Sequence, residues 1–484
     1  MVTDPVALGR ARALRLVCRT QEVVLLLIVI GSALAFGSVH PFAYRPLWSA
    51  CAFAGALVLA RAGLSHALRA YLGRRAFAFA ANGRSGSLKS DRGAGWSFDL
   101  ARPLLPRGAL LWPGLAFLAW SSLGLVPWPG RGPWSVAPGA TLRGLAFVAA
   151  LVALHTAAAA TLEDPGARRR MRRTLAWFAL VLALAALAQL STGTRAIYGL
   201  FRPQEGGSPA GPFVNRNHLA GYLLLLTPVA LGYLARALWA WRERAGARGG
   251  KGRLLALQTP EGVALVYACL PALAATAALV ATTSRGAILA FVVGLAVALS
   301  ARRRAGRAAL AAMVVAFLAM GLSWFGLERL GDRFSAIPDN APGRTRVWSD
   351  ALARMDGRWL TGAGLNAFEA HLSRVAAWRL PEHATPWPDE IRAGYESGAR
   401  IGFRFQGSDW YREAHNDYLQ VLVETGVPGL LIALWAAAAA LYRVAPSRWV
   451  FAALLAMLLH ALVEFDFQIP ALPVLFVVLA AWRR

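Results

Sequence analysis

Cysteine and acidic residues are both scarce in this chain. Three cysteines, Cys18, Cys51 and Cys269, are spread through 484 residues with no C-x-x-C pair. That indicates neither a disulfide framework nor a thiolate zinc site, and the three read as small buried apolar residues. Asp and Glu number 25 against 51 Lys and Arg. No D-x-D occurs, and the segment 39–46 (VHPFAYRP) contains no acid. A carboxylate-held divalent metal needs several oxygen ligands, so none is expected. His371 and His383 lack helical ligand spacing, which argues against zinc. No P-loop is present, so an ATP-driven pump is excluded, and no G-x-S-x-G nucleophile elbow occurs. No metal or other cofactor is expected.

Charge is sparse, at 16% of residues against about 25% in soluble proteins. Apolar residues fill that space, making up 57% of the chain. Many runs are long enough to cross about 30 Å of hydrocarbon. The expected spans are 23–38, 47–64, 108–126, 142–161, 174–191, 218–236, 261–281, 286–301, 308–325, 417–442, 448–463 and 470–482. The fold class is therefore an all-α polytopic membrane protein with about 12 transmembrane helices. A large loop, 326–416, separates the ninth and tenth spans. It divides the chain into a helical region over residues 1–325, the loop, and a helical region over residues 417–484. The N-terminal Arg10, Arg12, Arg15 and Arg19 ahead of an apolar run resemble a signal peptide. No small-residue cleavage site follows, so an uncleaved first helix is expected.

The net charge of +26 would suit nucleic acid only on a soluble basic face, for which this composition leaves no room; no nucleic-acid partner is expected. The charge instead sorts by topology. With a cytoplasmic N-terminus, 32 of the 51 Lys and Arg fall in cytoplasmic segments, while the large loop carries twelve basic and twelve acidic residues. Positive charge collects on the cytoplasmic side, so the large loop is expected on the outer face of a bacterial inner membrane. Residues 82–95 (NGRSGSLKSDRGAG) read as a flexible linker. The outer loop holds Trp348, Trp359, Trp378, Trp387 and Trp410 and is too long for an idle connection. It is expected to fold over the outer mouth of the bundle, with helical spacing over 344–356.

Four outer segments combine polar residues with apolar helices. Gly211–His218 enters a helix that Asn215 or Asn217 can cap, and a helix N-terminus beside Arg216 suits an anion. Arg285 sits in the short turn Thr282–Gly286, near the membrane boundary, where a guanidinium needs a polar partner. Arg344-Thr345-Arg346-Val347-Trp348 precedes Gly362-x-Gly364; no strand or βαβ unit surrounds these glycines, so they read as a turn before a helix. Ala414-His415-Asn416-Asp417 opens a helix with a kink expected at Gly426–Pro428. His415 is suited to proton transfer near neutral pH. Glu464 and Asp466 read as helix-end acids that pair with an outer arginine, or that orient a partner or act as a base.

Together these segments resemble the O-antigen ligase and O-antigen polymerase (Wzy-like) superfamily. The resemblance rests on Gly37-Ser38-Val39-His40-Pro41, Pro212–Tyr222, Ser284-Arg285-Gly286, Arg346-Val347-Trp348, Gly362-x-Gly364-x-x-x-Phe368, Ala414–Gln420 through Glu424-x-Gly426-x-x-Gly429, and Asp466–Ala471. It implies a GT-C-like glycosyltransferase with its active site on the periplasmic side. The donor would be a glycan on undecaprenyl diphosphate, and the acceptor a sugar hydroxyl on a growing glycan or on lipid A–core. It implies His415 as the catalytic residue and Arg216 and Arg285 as diphosphate contacts. Arg346 is a further candidate anion contact, with Asn215, Asn217, Asn416 and Asp417 in support. Metal-independent transfer with inversion follows from the same resemblance. A transporter or flippase of lipid-linked glycan, or a protein O-oligosaccharyltransferase, is the alternative.

Overall fold

The computed structural model describes residues 5–81, 108–127, 130, 132–203, 208–245, 255–300, 347–376 and 412–482. The expected span 308–325 and Arg346 lie outside them. In chain order the helices are α1 (Pro5–Leu34), α2 (Pro41–Ala81), α3 (Leu111–Ser122), α4 (Pro138–Thr161), α5 (Pro165–Thr192), α6 (Arg216–Ala245), α7 (Pro260–Ala281), α8 (Arg285–Ser300), α9 (Phe368–Ala376), α10 (Asp417–Val444), α11 (Arg448–His460) and α12 (Ala471–Ala480). No strand is present among the described residues. Among the described residues, six helices are long and apolar enough to cross a membrane, and four shorter apolar helices accompany them. The chain is thus a multi-pass helical membrane protein.

Helix ends follow local chemistry. Asp164 caps α5, accepting from the Gly166 and Ala167 amides ahead of which Pro165 needs no partner. Thr259 and Pro260 do the same for α7. Several boundaries differ from the hydrophobic pattern. α1 begins at Pro5 and α2 continues to Ala81, well beyond their apolar cores. The extensions keep good helix formers and hold each other. Arg10 donates to the Ala67 carbonyl (2.9 Å) and lies 5.0 Å over the Tyr71 ring. α1 ends at Leu34 rather than near 38, because Phe36, Gly37 and Ser38 all take positive φ. That turn lets Gly37 back onto Phe213 and Ile469, joining three segments far apart in sequence. Of the cysteines, all free, Cys51 is buried and the other two are half-buried.

The core centres on α6 and α12. Residues His218–Gly232 of α6 and every residue of α12 are buried. α6 packs on α5, α7 and α11, and α12 packs on α4. Alanines of α5 (Ala176, Ala179, Ala183, Ala186) and α7 (Ala268, Ala272, Ala275, Ala278) are buried where these helices meet. Small side chains let helix backbones approach closely, where dispersion replaces the missing hydrophobic drive.

α10 is broken inside the helix at Gly426 (φ 68°, ψ −176°), within the expected kink. A break strands carbonyls, and buried carbonyls need donors. Here Ala363 N–H donates to Val423 O and Gly364 N–H to Glu424 O, both at 2.8 Å. The Trp120 indole donates to Thr425 O at 2.7 Å. Gly362 sits so close to the Glu424 peptide that a Cβ would overlap it, and Gly426 sits equally close to Leu360 O. The 359–368 strap of the large loop is therefore clamped to α10. It is also tied to α4, where Thr141 Oγ1 donates to Leu365 O at 3.0 Å. A second small core, Val347, Ala351, Met355, Phe368, Leu372, Ala414 and Val423, packs this loop onto the start of α10.

Gly362→Ala and Gly426→Ala each combine a positive φ with a backbone clash. Each should cost about 1–3 kcal/mol or more and lower the unfolding midpoint of detergent-purified protein. An unchanged midpoint in both would contradict the clamp.

Candidate active site

Three helix starts meet one turn. The turn is 461–470, between α11 and α12, and the starts belong to α6, α8 and α10. Glu464, 2% exposed, links two of them. Asn217 in the first turn of α6 donates to Glu464 Oε1 at 2.7 Å. His415, just before α10, places Nδ1 3.5 Å from Glu464 Oε2. The next residue, Phe465, lies edge-on between two imidazoles, with ring centroids 4.7 Å from His218 and 4.8 Å from His415. The start of α8 reaches the same turn through Gly286, where a Cβ would stand 2.8 Å from Val463 Cγ2 and 3.3 Å from His460 Cδ2. Positive helix ends favour an anion at such a convergence.

Buried polar pairs hold the turn itself. His460 Nδ1 and Asp466 Oδ2 are 2.6 Å apart and fully enclosed. Gly221 of α6 leaves the room Asp466 needs, since a Cβ there would sit 2.6 Å from Oδ1. The Asp417 carboxylate accepts from Phe467 N–H at 3.0 Å, and the Asp417 amide donates to Ala461 O at 2.9 Å.

The expected site residues divide by what they touch. Asn215 accepts from the Asn217 amide (2.9 Å) at the start of α6, and Asn416 caps α10 through Leu419 N–H (3.0 Å). Asn217 and His415 meet at Glu464. Arg216 is the first residue of α6 and Arg285 the first of α8, and both are half-buried. Each is one residue from a contact with the 460–464 segment. Glu464 stands against His415 and Asn217, and Asp466 against His460.

His415 has φ +50°, an uncommon conformation for a residue with a Cβ. Its neighbours enforce it: Trp348 Nε1 donates to Ala414 O at 2.8 Å, while Asn416 is fixed as the cap. The imidazole lines a cavity of about 1050 Å³. Arg143, Asn366, Glu369, Arg412, Glu413 and Glu424 add polar groups to its wall. The rest is apolar, from Tyr44, Trp48, Phe117, Phe147, Leu151 and Phe476 among others. Arg216 and Arg285 are not among its lining residues.

Sequence reasoning passed over Glu413, Glu424 and Arg143 as site residues. Glu424 carried a usable signal, an acid inside an apolar stretch. Burial pushes the Glu413 carboxyl up to about 7, with the Gln420 amide pulling the other way.

Residues 270–434 match the family model Wzy_C, described as O-antigen ligase. The match runs from α7 through α8 and the large loop into α10, and takes in Arg285, the 359–368 strap, His415 and Gly426. No curated protein matches the chain. The fold defines a multi-pass helical membrane protein, and the match makes it one with an O-antigen ligase domain. That supports the O-antigen ligase/polymerase family for this chain.

Removing one partner of a buried hydrogen bond strands the other at about 1–3 kcal/mol, on top of the volume lost, whereas losing a helix cap costs about 1 kcal/mol. Asp466→Ala should therefore lower the thermal unfolding midpoint well below that of Asn416→Ala. Equal midpoints would show that the His460–Asp466 pair does not hold the turn.

Proposed function

We propose that this protein is a membrane glycosyltransferase of the ligase or polymerase kind. In this reading it moves a glycan from a polyprenyl-diphosphate carrier, undecaprenyl diphosphate in bacteria, to a sugar hydroxyl on another glycan or on lipid A–core. The site lies on the periplasmic face of the inner membrane. Membrane lipid surrounds the described apolar helices, and the described strap 359–368 of the loop is held against α4 and α10. The observation that carries this is the meeting of Asn217, Glu464 and His415 at one turn, inside a chain with an O-antigen ligase domain.

The chemistry needs few groups. The donor already carries its leaving group, so nucleotide and ATP are unnecessary. As the glycosidic bond breaks, the diphosphate gains negative charge. Arg216 and Arg285, with the amides at the starts of α6 and α8, are the groups that would stabilise it by charge-assisted hydrogen bonds. Arg346 is the third arginine proposed for the same anion. The acceptor hydroxyl attacks the anomeric carbon from the opposite side, which inverts that centre in a single displacement. His415, set against Glu464, either takes the hydroxyl proton or orients the hydroxyl. Asn215, Asn416 and Asp417 act by holding helix starts and the turn.

His415→Ala and Arg285→Ala should each reduce glycan transfer by about 100-fold or more while the protein still reaches the membrane. The check is mass spectrometry of surface glycans from complemented deletion strains, and normal polysaccharide in both variants would refute the reading. Glu464→Gln retains an acceptor for Asn217 but removes the charge beside His415. It should cut transfer by roughly tenfold or more with little change in unfolding midpoint; a wild-type rate would detach Glu464 from the reaction.

A further inference from the structure

The cavity beside His415 contains a second group suited to proton transfer. We infer that Glu413 is the base for the acceptor hydroxyl, positioned by Gln420, and that His415 orients the hydroxyl. This rests on the glycosyl-transfer reading above and assigns the proton within it.

Three observations carry the assignment. Glu413 and His415 line the same cavity and are two residues apart, both held by the start of α10. The Gln420 amide fixes the Glu413 carboxylate: its Nε2 donates to Glu413 Oε2 at 2.6 Å. The orientation of Gln420 is itself determined, because its Oε1 accepts from Ala414 N–H at 3.1 Å. The same Nε2 lies 3.3 Å from Glu424 Oε1, and the other Glu424 oxygen takes the Asn366 amide at 2.6 Å. Glu424 is thus tied up by donors from the strap and α10. Glu413 is held at one oxygen by Gln420 and presents its carboxylate at the cavity wall. His415, by contrast, has its Nδ1 turned toward Glu464.

The step balances. The acceptor oxygen forms a bond to the anomeric carbon, and the bond from that carbon to the phosphate oxygen breaks. The electron pair leaves with the diphosphate, and the hydroxyl proton passes to Glu413, which later returns it to water. A carboxylate of ordinary acidity is a weak base, and one that titrates near neutrality is better matched to the task. Burial raises Glu413 to about 7. The charged groups facing it are Glu369 of α9, Arg412 and His415 on its own segment, and Asp417 and Glu424 of α10, with Arg143 across the cavity. Below about pH 7 Glu413 holds a proton and cannot take another, so transfer should rise with pH through that range. Gln420 lowers the Glu413 pKa, so its removal should move the acid limb to higher pH.

The test uses full-length protein in liposomes with an undecaprenyl-diphosphate-linked glycan and a glycan acceptor, following new glycosidic bonds from pH 5 to 9. Glu413→Gln should lose about 100-fold in transfer, Glu413→Asp should keep some of it, and Gln420→Met should shift the acid limb upward. Wild-type rates and an unmoved limb in Glu413→Gln would overturn the proposal while leaving glycosyl transfer intact. Absence of any new bond with wild-type protein would remove the underlying reading instead. Thermal unfolding reports whether each variant folds. If Glu413→Gln does not, Gln420→Met decides: a wild-type acid limb overturns the proposal.

Discussion

A buried carboxylate holds this site together. Glu464 is almost wholly enclosed, and enclosing a carboxylate is expensive unless donors surround it. Asn217 donates to one of its oxygens, and His415 Nδ1 stands 3.5 Å from the other. Glu464 thereby meets the start of α6 and the start of α10 at the turn between α11 and α12. Arg216 is carried along with Asn217, and the cavity wall is carried along with His415.

The broken helix performs a related task on the other wall. Unwinding α10 at Gly426 exposes carbonyls that the 359–368 strap and Trp120 then occupy. The strap is thereby tied to α10 and α4, and α3 is tied to α10. The same clamp places Asn366 on Glu424, and Gln420 carries the constraint to Glu413. Backbone hydrogen bonds between the strap and α10 thus set the polar wall of the cavity. Irregular backbone at membrane depth is tolerated where protein buries it or a cavity is lined by it, and both conditions hold here.

Much of this was visible in the sequence because the signals are local. Apolar runs gave the helices, as with Pro260–Ala281. Gly426 and Pro428 marked the break. His415, Asn416 and Asp417 stood together at a helix start. What escaped depended on long-range contacts. Nothing near Glu464 shows that its partners lie some fifty and nearly two hundred and fifty residues upstream. Glu413 looked like an ordinary loop acid, since its environment is supplied by the fold. The extensions of α1 and α2 escaped because a membrane-length window ignores helix outside the apolar run, where Arg10 and Tyr71 stabilise it.

In the proposed reaction, transfer turns on one binding event, a phosphate-bearing lipid held where the starts of α6 and α8 meet the Glu464 turn. The most direct measurement is the affinity of undecaprenyl diphosphate for purified wild-type protein and for the Arg216→Ala/Arg285→Ala double variant. Two charge-assisted contacts are each worth about 1.5–3 kcal/mol, so the double variant should bind at least 100-fold more weakly. Equal affinity in the two proteins would contradict the account.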